Sequence, residues 1–248
     1  MDNDDFDRHR LSFGAAAQTY EQSRPEYPDA AISWLVGRGG LRVLDLGAGT
    51  GKLTRGLVAA GHDVIAVDPD ESMLAALTAA SPHVPAYVGS SEAIPLPDGS
   101  VDVVVAGQAY HWFSGEPAHA EIARVLRADG IFGPVWNFRD DHLDWVAQLS
   151  ELIGITGDAA TSLDATAPRL GRRFGAVKHA EFSHAQTLDA EGLATLVASR
   201  SYVLTLSPDD RAAVLEQVAE LAATHPDLRG RDTFDLPYLT HAYRAARR

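Results

Sequence analysis

Short apolar runs alternate with longer, alanine-rich segments over the first 140 residues of the chain. The apolar runs predict five buried strands: Arg42–Leu46, Asp63–Val67, Val84–Val88, Val101–Ala106 and Ile131–Val135. The longer segments predict four helices: Asp29–Val36, Lys52–Ala60, Glu71–Ala80 and Pro117–Arg127. Strands that alternate with helices in this way are typical of a parallel sheet covered by helices on both faces.

The regular alternation of predicted strands and helices ends after Trp136. Helices are predicted over Asp141–Ile155, Ala190–Ser199 and Pro208–Ala223, strand regions over Lys178–Leu188 and Phe234–Arg244, and a mixed connector over Gly157–Arg173. No internal repeat, low-complexity tract or Pro/Ser-rich linker separates the two parts. We therefore expect one domain over residues 1–248.

The composition narrows the classes of function. The chain has 248 residues, no cysteine and a formal net charge of -13, which excludes thiolate metal sites and thiol nucleophiles. An acidic chain repels nucleic acid, and clustered basic residues occur only in the tail at Arg244, Arg247 and Arg248. No apolar stretch approaches the length that crosses a bilayer, and the N-terminus is acidic where a signal peptide would be basic and then apolar. We expect a cytoplasmic protein that binds neither nucleic acid nor membranes.

A glycine-rich turn follows the first predicted strand, in the segment 43–52, V-L-D-L-G-A-G-T-G-K. A dinucleotide-binding loop would need glycine or alanine where Lys52 stands, because that position packs the helix against the strand. A phosphate-binding P-loop would need glycine at Leu46 and serine or threonine at Leu53. Residue identity argues against both loops.

The remaining pattern, D-x-G-x-G-x-G from Asp45 to Gly51, resembles motif I of the class I S-adenosylmethionine-dependent methyltransferases. The resemblance implies a Rossmann-like, seven-stranded and mostly parallel sheet with helices on both faces and the last strand antiparallel. It also implies that S-adenosyl-L-methionine is the cofactor. The residues that would hold its methionine moiety are Asp45, Gly47, Ala48 and Gly49.

Asp68 ends the second predicted strand, about 20 residues after the first glycine of the turn. In the resembling enzymes a carboxylate there accepts hydrogen bonds from both ribose hydroxyls, with Pro69 and Met73 beside it. The alternative interpretation is that Asp68 only caps the helix that begins at Pro69 or Glu71.

Further segments carry the resemblance along nearly the whole chain. Residues 89–102 are similar to the segment that packs on adenine, which implies contacts from Ser90, Ser91, Glu92 and Gln108. Residues 106–113 resemble the A-x-Q-A-F-H-W-F signature of methyltransferases related to trans-aconitate methyltransferase. Residues 124–130 resemble the usual R-V-L-[KR]-P-G-G turn, and Phe13 to Pro28 resembles an N-terminal lid, in which Tyr20 and Arg24 would contact the cofactor.

The resemblance thus divides the single domain into a lid (1–28), a cofactor-binding core (29–140) and a C-terminal part (141–248) that completes the sheet and the acceptor pocket. The predicted substrate-binding residues are Tyr110, His111, Trp112, Trp136 and Arg139. Tyr110 and His111 are also the candidate catalytic residues, although both could instead belong to a structural aromatic cluster. His111 would be a general base for a hydroxyl acceptor and would only position a carboxylate.

The sequence therefore predicts an enzyme that methylates a small-molecule acceptor, with O-methylation of a carboxylate or hydroxyl favoured. A catalytically silent S-adenosylmethionine-binding sensor or scaffold remains the alternative, and Lys52 argues against a dinucleotide oxidoreductase. The histidines show no i, i+4 pairing with acids of the zinc-hydrolase type, so no metal site is expected. We expect a monomer or a weak homodimer.

Overall fold

The computed structural model describes residues 24–37, 39–153 and 168–248. Within these ranges seven strands form one sheet in the order β3-β2-β1-β4-β5-β7-β6. The strands are β1 (Arg42–Leu46), β2 (Asp63–Asp68), β3 (Ala86–Val88), β4 (Val101–Gly107), β5 (Leu126–Arg139), β6 (Lys178–Leu188) and β7 (Phe234–Ala246). β1 to β5 are parallel and the last strands are antiparallel, which confirms the predicted fold class.

Each predicted helix lies close to its predicted position, and one short helix, at residues 201–204, has no predicted counterpart. They are α1 (Asp29–Val36), α2 (Lys52–Ala59), α3 (Glu71–Ala80), α4 (Glu116–Val125), α5 (Asp144–Leu152), α6 (Ala190–Ala198), α7 (Ser201–Leu204) and α8 (Pro208–Thr224). Two short 3₁₀ turns cover Tyr110–Trp112 and Gly171–Arg173. Much of the predicted connector Gly157–Arg173 lies outside the described residues.

Several boundaries differ from the prediction, and two of the differences follow directly from strand pairing. α4 ends at Val125 instead of Arg127, since Leu126 already pairs with Val101 of β4 and so belongs to β5. β3 begins at Ala86 instead of Val84, because Pro85 has no N–H to give to a strand ladder.

The strand register aligns the carboxyl ends of the parallel strands. Leu46 of β1 is paired with Val67 of β2, and Asp68 at the end of β2 is paired with Val88 of β3. Gly107 at the end of β4 is paired with Val135 of β5. The loops that follow these strands therefore leave the sheet at one edge, which is where open α/β sheets bind their ligands.

The described chain divides into two compact units. We call residues 26–37, 39–137, 168–182 and 240–248 the sheet unit, and residues 24–25, 138–153 and 183–239 the helical unit. Apolar side chains cover both faces of the parallel strands in the sheet unit, among them Leu44, Phe132, Leu35 and Leu57. The helical unit has a separate core that includes Trp145, Leu149, Leu196, Val218 and Leu236. The predicted division at residues 28 and 140 stays a prediction.

The packing of the sheet unit can be tested at Phe132 in β5. Its side chain is fully buried and its ring centroid lies 5.8 Å from that of Phe174 and 5.6 Å from that of Tyr110. Phe132→Ala should lower the free energy of unfolding by about 3–5 kcal/mol, because it leaves a cavity in a closely packed core. Urea denaturation measures the loss.

Tyr87→Ala is the matched control, since Tyr87 is an aromatic residue of β3 that is 46% exposed. Its loss should stay within about 0.5 kcal/mol, as is usual for surface substitutions. Equal losses in the two variants would contradict the assignment of Phe132 to the core.

Candidate functional site

The loop after β1 turns through three glycines before α2 begins. Gly47, Gly49 and Gly51 all have positive φ, at 72°, 55° and 89°. A Cβ on Gly47 would lie 2.6 Å from the Cβ of Ala109, so this glycine allows the loop after β4 to approach. A Cβ on Gly49 would meet nothing within 4 Å. The backbone at Gly49 is therefore open to a ligand.

Asp68 fastens this loop to the end of β2. Its Oδ2 accepts a hydrogen bond from the Gly49 amide at 2.8 Å, and its Oδ1 accepts one from the Asp70 amide at 2.9 Å. The cap of α3 is Asp70, whose Oδ1 accepts from the amides of Ser72 and Met73. Capping alone therefore does not explain Asp68.

Asp45 lies fully buried beneath the glycine loop. Its Oδ2 accepts a hydrogen bond from the Thr54 hydroxyl of α2 at 2.6 Å. Burial raises the pKa of the Asp45 carboxyl to about 7; the hydrogen bond from Thr54 opposes this increase and the charge of Asp68 adds to it. Asp45 thus joins the strand to the helix, a contact that the sequence analysis did not identify.

The segment after β3 is organised around Glu92. Its Oε1 accepts hydrogen bonds from the Ser91 hydroxyl at 2.6 Å and from the Ser114 amide at 2.9 Å. Burial acts to raise the pKa of Glu92, but the hydrogen bonds from Ser91, Ser114 and Ser90 outweigh it and hold this pKa at about 2. Glu92 is therefore ionised at neutral pH and ties this segment to the loop that contains Ser114.

Gln108 follows β4 with a positive φ of 55°, which is uncommon for a residue other than glycine. Its amide donates to the Val135 carbonyl at 2.9 Å and its side-chain Nε2 donates to the Asn137 carbonyl at 2.8 Å. The Asn137 side chain accepts from the Thr240 hydroxyl at 2.6 Å and donates to the Glu26 carbonyl at 3.1 Å. The sequence analysis missed Asn137, although a buried amide at the end of an apolar strand is a signal for such a network.

Tyr110 and Trp136 belong to an aromatic cluster. The ring of Tyr110 lies 5.7 Å from Phe113 and 6.0 Å from Trp136, and its hydroxyl lies 2.9 Å from His119 Nε2. Burial raises the pKa of the Tyr110 hydroxyl to about 12. Because this hydroxyl already has a partner and Trp136 is buried, the structure shows a packing role for both. Their predicted roles towards a substrate stay predictions.

His111 lies on the short 3₁₀ turn after β4, and its side chain is exposed to solvent. Loss of hydration to the surrounding protein atoms lowers the pKa of its imidazole to about 4. The ring centroid of Trp112 is 4.7 Å away. At neutral pH the His111 ring is neutral.

The other predicted site residues are divided between the two units. Arg24 and Arg139 belong to the helical unit, where Arg24 Nη2 donates to the Ser199 carbonyl at 3.3 Å and Arg139 Nε to the Ser150 hydroxyl at 3.4 Å. Tyr20 and Phe13 lie outside the described residues. The sheet unit contains the rest: Asp45, Gly47, Ala48, Gly49, Asp68, Pro69, Met73, Ser90, Ser91, Glu92, Gln108, Tyr110, His111, Trp112 and Trp136.

Comparison with known proteins identifies the family. A family model described as a methyltransferase domain matches residues 44–133. An uncharacterized methyltransferase of Mycobacterium tuberculosis is 47% identical to this chain over 235 residues, and the match covers 95% of each protein. The chain belongs to the methyltransferase family. An uncharacterized methyltransferase-like protein of Schizosaccharomyces pombe is 36% identical to this methyltransferase over 240 residues, with 94% of each protein covered.

Solved structures share the fold of the methyltransferase. A protein from Anaeromyxobacter dehalogenans, assigned as a type II methyltransferase, aligns with a TM-score of 0.66 at 25% identity and covers 90% of this chain and 97% of that one. A phosphoethanolamine N-methyltransferase of Haemonchus contortus, solved with S-adenosylhomocysteine, aligns with a TM-score of 0.54 at 15% identity and covers 98% of this chain and 59% of that one. The class I methyltransferase fold predicted from the glycine loop is confirmed.

Across the described part of the methyltransferase, we find no helix with the length and apolar character needed to cross a membrane.

The raised pKa of Asp45 gives a testable pH dependence for the ligand-free methyltransferase. Its folded-state pKa is about 7, against an ordinary value of 3.8, so between these pH values the folded state keeps a proton that the unfolded state releases. The Asp45 carboxyl therefore makes its full contribution to the free energy of unfolding below pH 3.8. As the pH rises, this contribution falls by up to about 1.4 kcal/mol per pH unit, and it is lost as the pH passes through 7. Asp45→Asn should remove this decline, as urea denaturation between pH 5 and 8 would show.

Asp63→Asn is the control, because Asp63 is an exposed carboxylate at the opposite end of the neighbouring strand. Its pH curve should run parallel to that of the wild type. If the Asp45→Asn curve is also parallel, the carboxyl is ionised in the folded state and the assignment is wrong.

Proposed function

We propose that this methyltransferase transfers the methyl group of S-adenosylmethionine to a small-molecule carboxylate. The proposal rests first on the Asp68 carboxylate, held beside the open backbone of Gly49 at the carboxyl edge of the sheet. A fold relative that covers 98% of this chain was solved with S-adenosylhomocysteine, which supports the choice of cofactor. Lys52 begins α2 where a dinucleotide-binding loop needs a small residue, and its ammonium pairs with Glu26 at 3.0 Å.

The residues of this edge fit the parts of that cofactor. The Asp68 carboxylate would accept the hydrogen bonds of the two ribose hydroxyls, and Gly49 leaves room for the methionine moiety. Asp45 acts from beneath the loop by holding α2 through Thr54. Ser91, whose hydroxyl donates to Glu92, would meet the adenine through its backbone.

The bound cofactor would supply an activated methyl group on a sulfonium. The task of the protein is then to orient the acceptor and exclude water, which together account for much of the rate enhancement in such displacements. A carboxylate attacks without losing a proton, so no general base is needed. The acceptor class therefore depends on whether the chain holds a suitable base or instead a suitable anion site.

His111 is poorly suited to act as a base. An imidazole with a pKa near 4 is neutral at pH 7 and binds a proton weakly, whereas an efficient base has a pKa near the working pH. A neutral ring can still accept or donate one hydrogen bond and so position an acceptor. The lowered pKa thus favours the positioning role over base catalysis, and with it a carboxylate acceptor over a hydroxyl.

The helical unit offers a concentration of positive charge. Tyr238 of β7 is 1% exposed, and burial raises the pKa of its hydroxyl, while the charges of Arg200, Arg139 and Arg24 lower it. The Arg200 guanidinium lies near this hydroxyl, although the two do not meet the geometry of a regular hydrogen bond. In a chain with a net charge of -13, three arginines whose charges act on one buried hydroxyl fit an anionic ligand. We propose that they form an anion site within the helical unit and that its ligand is a carboxylate.

The cofactor assignment is tested at Asp68. Asp68→Ala removes the charged acceptor for two ribose hydroxyls and should weaken S-adenosylmethionine binding by about 1.5–3 kcal/mol. Isothermal titration calorimetry measures the change, and the wild type should show no binding of a nicotinamide dinucleotide.

Asp63→Ala provides the matched control, since this residue stands at the amino end of the same strand. It should bind the cofactor like the wild type. Unchanged affinity in Asp68→Ala would refute the ribose assignment, and cofactor binding without turnover on any acceptor would favour a sensor or scaffold instead of an enzyme.

The acceptor class is tested with methyl-labelled S-adenosylmethionine and two matched sets of small molecules, carboxylic acids and alcohols. Label should enter the acids, and mild alkali should release it as methanol, because esters hydrolyse and methyl ethers do not. Arg200→Gln should raise the KM for the acceptor by about 10- to 100-fold, the loss expected for one charged hydrogen bond, and change cofactor affinity little.

Arg229→Gln is the control for this variant, because Arg229 is an exposed arginine of the same unit. Its KM should equal that of the wild type. Alkali-stable label, or an equal KM in Arg200→Gln, would contradict a carboxylate acceptor held by these arginines.

A further inference from the structure

Two histidines and one glutamate meet on the last two strands of the sheet. His179 and Glu181 are two residues apart on β6, which places both side chains on the same face of that strand. His241 lies on β7, the neighbour of β6 in the sheet. We call these three residues the His–Glu cluster. All three belong to the sheet unit, and the proposed methyl transfer uses none of them.

One possible metal-ligand atom from each side chain lies within 4.0 Å of the other two. His179 Nε2 lies 3.2 Å from His241 Nδ1, and Glu181 Oε1 lies 3.6 Å from His241 Nδ1 and 4.0 Å from His179 Nε2. The three atoms therefore form a small triangle of two imidazole nitrogens and one carboxylate oxygen.

These separations match the edges of a metal coordination sphere. Zinc binds histidine nitrogen and carboxylate oxygen at about 2.0–2.2 Å, so two ligand atoms at a tetrahedral angle are roughly 3.3–3.6 Å apart. Two edges of the triangle are within about 0.1 Å of that range. The third, between His179 and Glu181, is a few tenths of an ångström longer, which a change of rotamer in the exposed glutamate side chain would correct.

The strands hold the imidazoles in place. The rings of His179 and His241 are nearly parallel, at 8°, and the Tyr243 ring stacks on His179 with its centroid 4.5 Å away. The His241 side chain is only 9% exposed, because β7 lies between β5 and β6, whereas the Glu181 side chain is 46% exposed. A cation here would have two oriented nitrogen ligands, one adjustable oxygen ligand and a side open to water.

We propose that the His–Glu cluster is a binding site for a divalent transition-metal cation of the zinc class. Two nitrogens and one oxygen suit zinc, cobalt and nickel and do not suit magnesium or calcium, which prefer oxygen ligands alone. With water as a fourth ligand the site would be tetrahedral. The bound ion would join β6 to β7 and so stabilise the end of the sheet, because a ligand that binds only the folded state raises its stability.

The alternative is a hydrogen-bonded group without metal. One imidazole would then donate its ring N–H to the other at 3.2 Å, with the Glu181 carboxylate nearby. A metal ion would replace that single proton and receive both nitrogen lone pairs. The two cases differ in stoichiometric metal binding, which a hydrogen-bonded pair does not show.

The test uses the full chain without a polyhistidine tag, washed with a chelator and titrated with zinc chloride by calorimetry. We expect one zinc ion per chain and an increase in the thermal midpoint of unfolding upon binding. Cobalt chloride should give the visible absorption of a four-coordinate Co²⁺ site. His179→Ala and Glu181→Gln, both at exposed positions, should each weaken zinc binding by about 100-fold or more, since loss of an outer-shell partner alone costs 10- to 100-fold.

The control is His142→Ala. His142 forms the second candidate group in the described part of the chain, with Asp140 and Asp141, on three consecutive residues. This variant should keep the zinc affinity of the wild type. The proposal is overturned if the wild type does not bind zinc stoichiometrically. It is also overturned if the His179→Ala variant and the Glu181→Gln variant both keep the zinc affinity of the wild type, or if His142→Ala loses zinc binding.

Discussion

The carboxylate of Asp68 connects the two loops on which the candidate site depends. One oxygen accepts from Gly49 in the glycine loop and the other from Asp70 in the next loop, so one side chain sets the separation of both. The register of β1 with β2 brings these loops to the same edge, and the carboxylate then holds them in place. The hydrogen bond from Gly49 to Asp68 thus fixes the glycine loop at a residue whose backbone has positive φ.

Local patterns were enough to predict most of the fold. The bounds of α1, α3, β1 and β6 agree with the prediction, because each segment has a clear apolar period between recognisable end signals. The start of β5 could not be predicted from its own residues. Leu126 joins the strand because Val101 lies opposite, and that partner becomes known only when the sheet is assembled.

The candidate site also contains residues that local signals identify and residues that only tertiary contacts bring together. Glycines and strand-end acids are local signals, so the loop and Asp68 could be found from their spacing. The contact of Asp45 with Thr54 and the gathering of Arg24, Arg139 and Arg200 around Tyr238 depend on tertiary contacts. His179 and His241 lack the helical i, i+4 spacing that identifies zinc-hydrolase ligands in a sequence. On strands, ligands come from an i, i+2 pair and a neighbouring chain segment.

The backbone at Gln108 is strained in return for a side-chain contact. A residue with a side chain at φ 55° carries a conformational cost that glycine would not. Glutamine there donates to the Asn137 carbonyl and so joins the polar network at the ends of β4 and β5. The loop after β4 is therefore held in a conformation that its own backbone preference disfavours, by a hydrogen bond from the same residue.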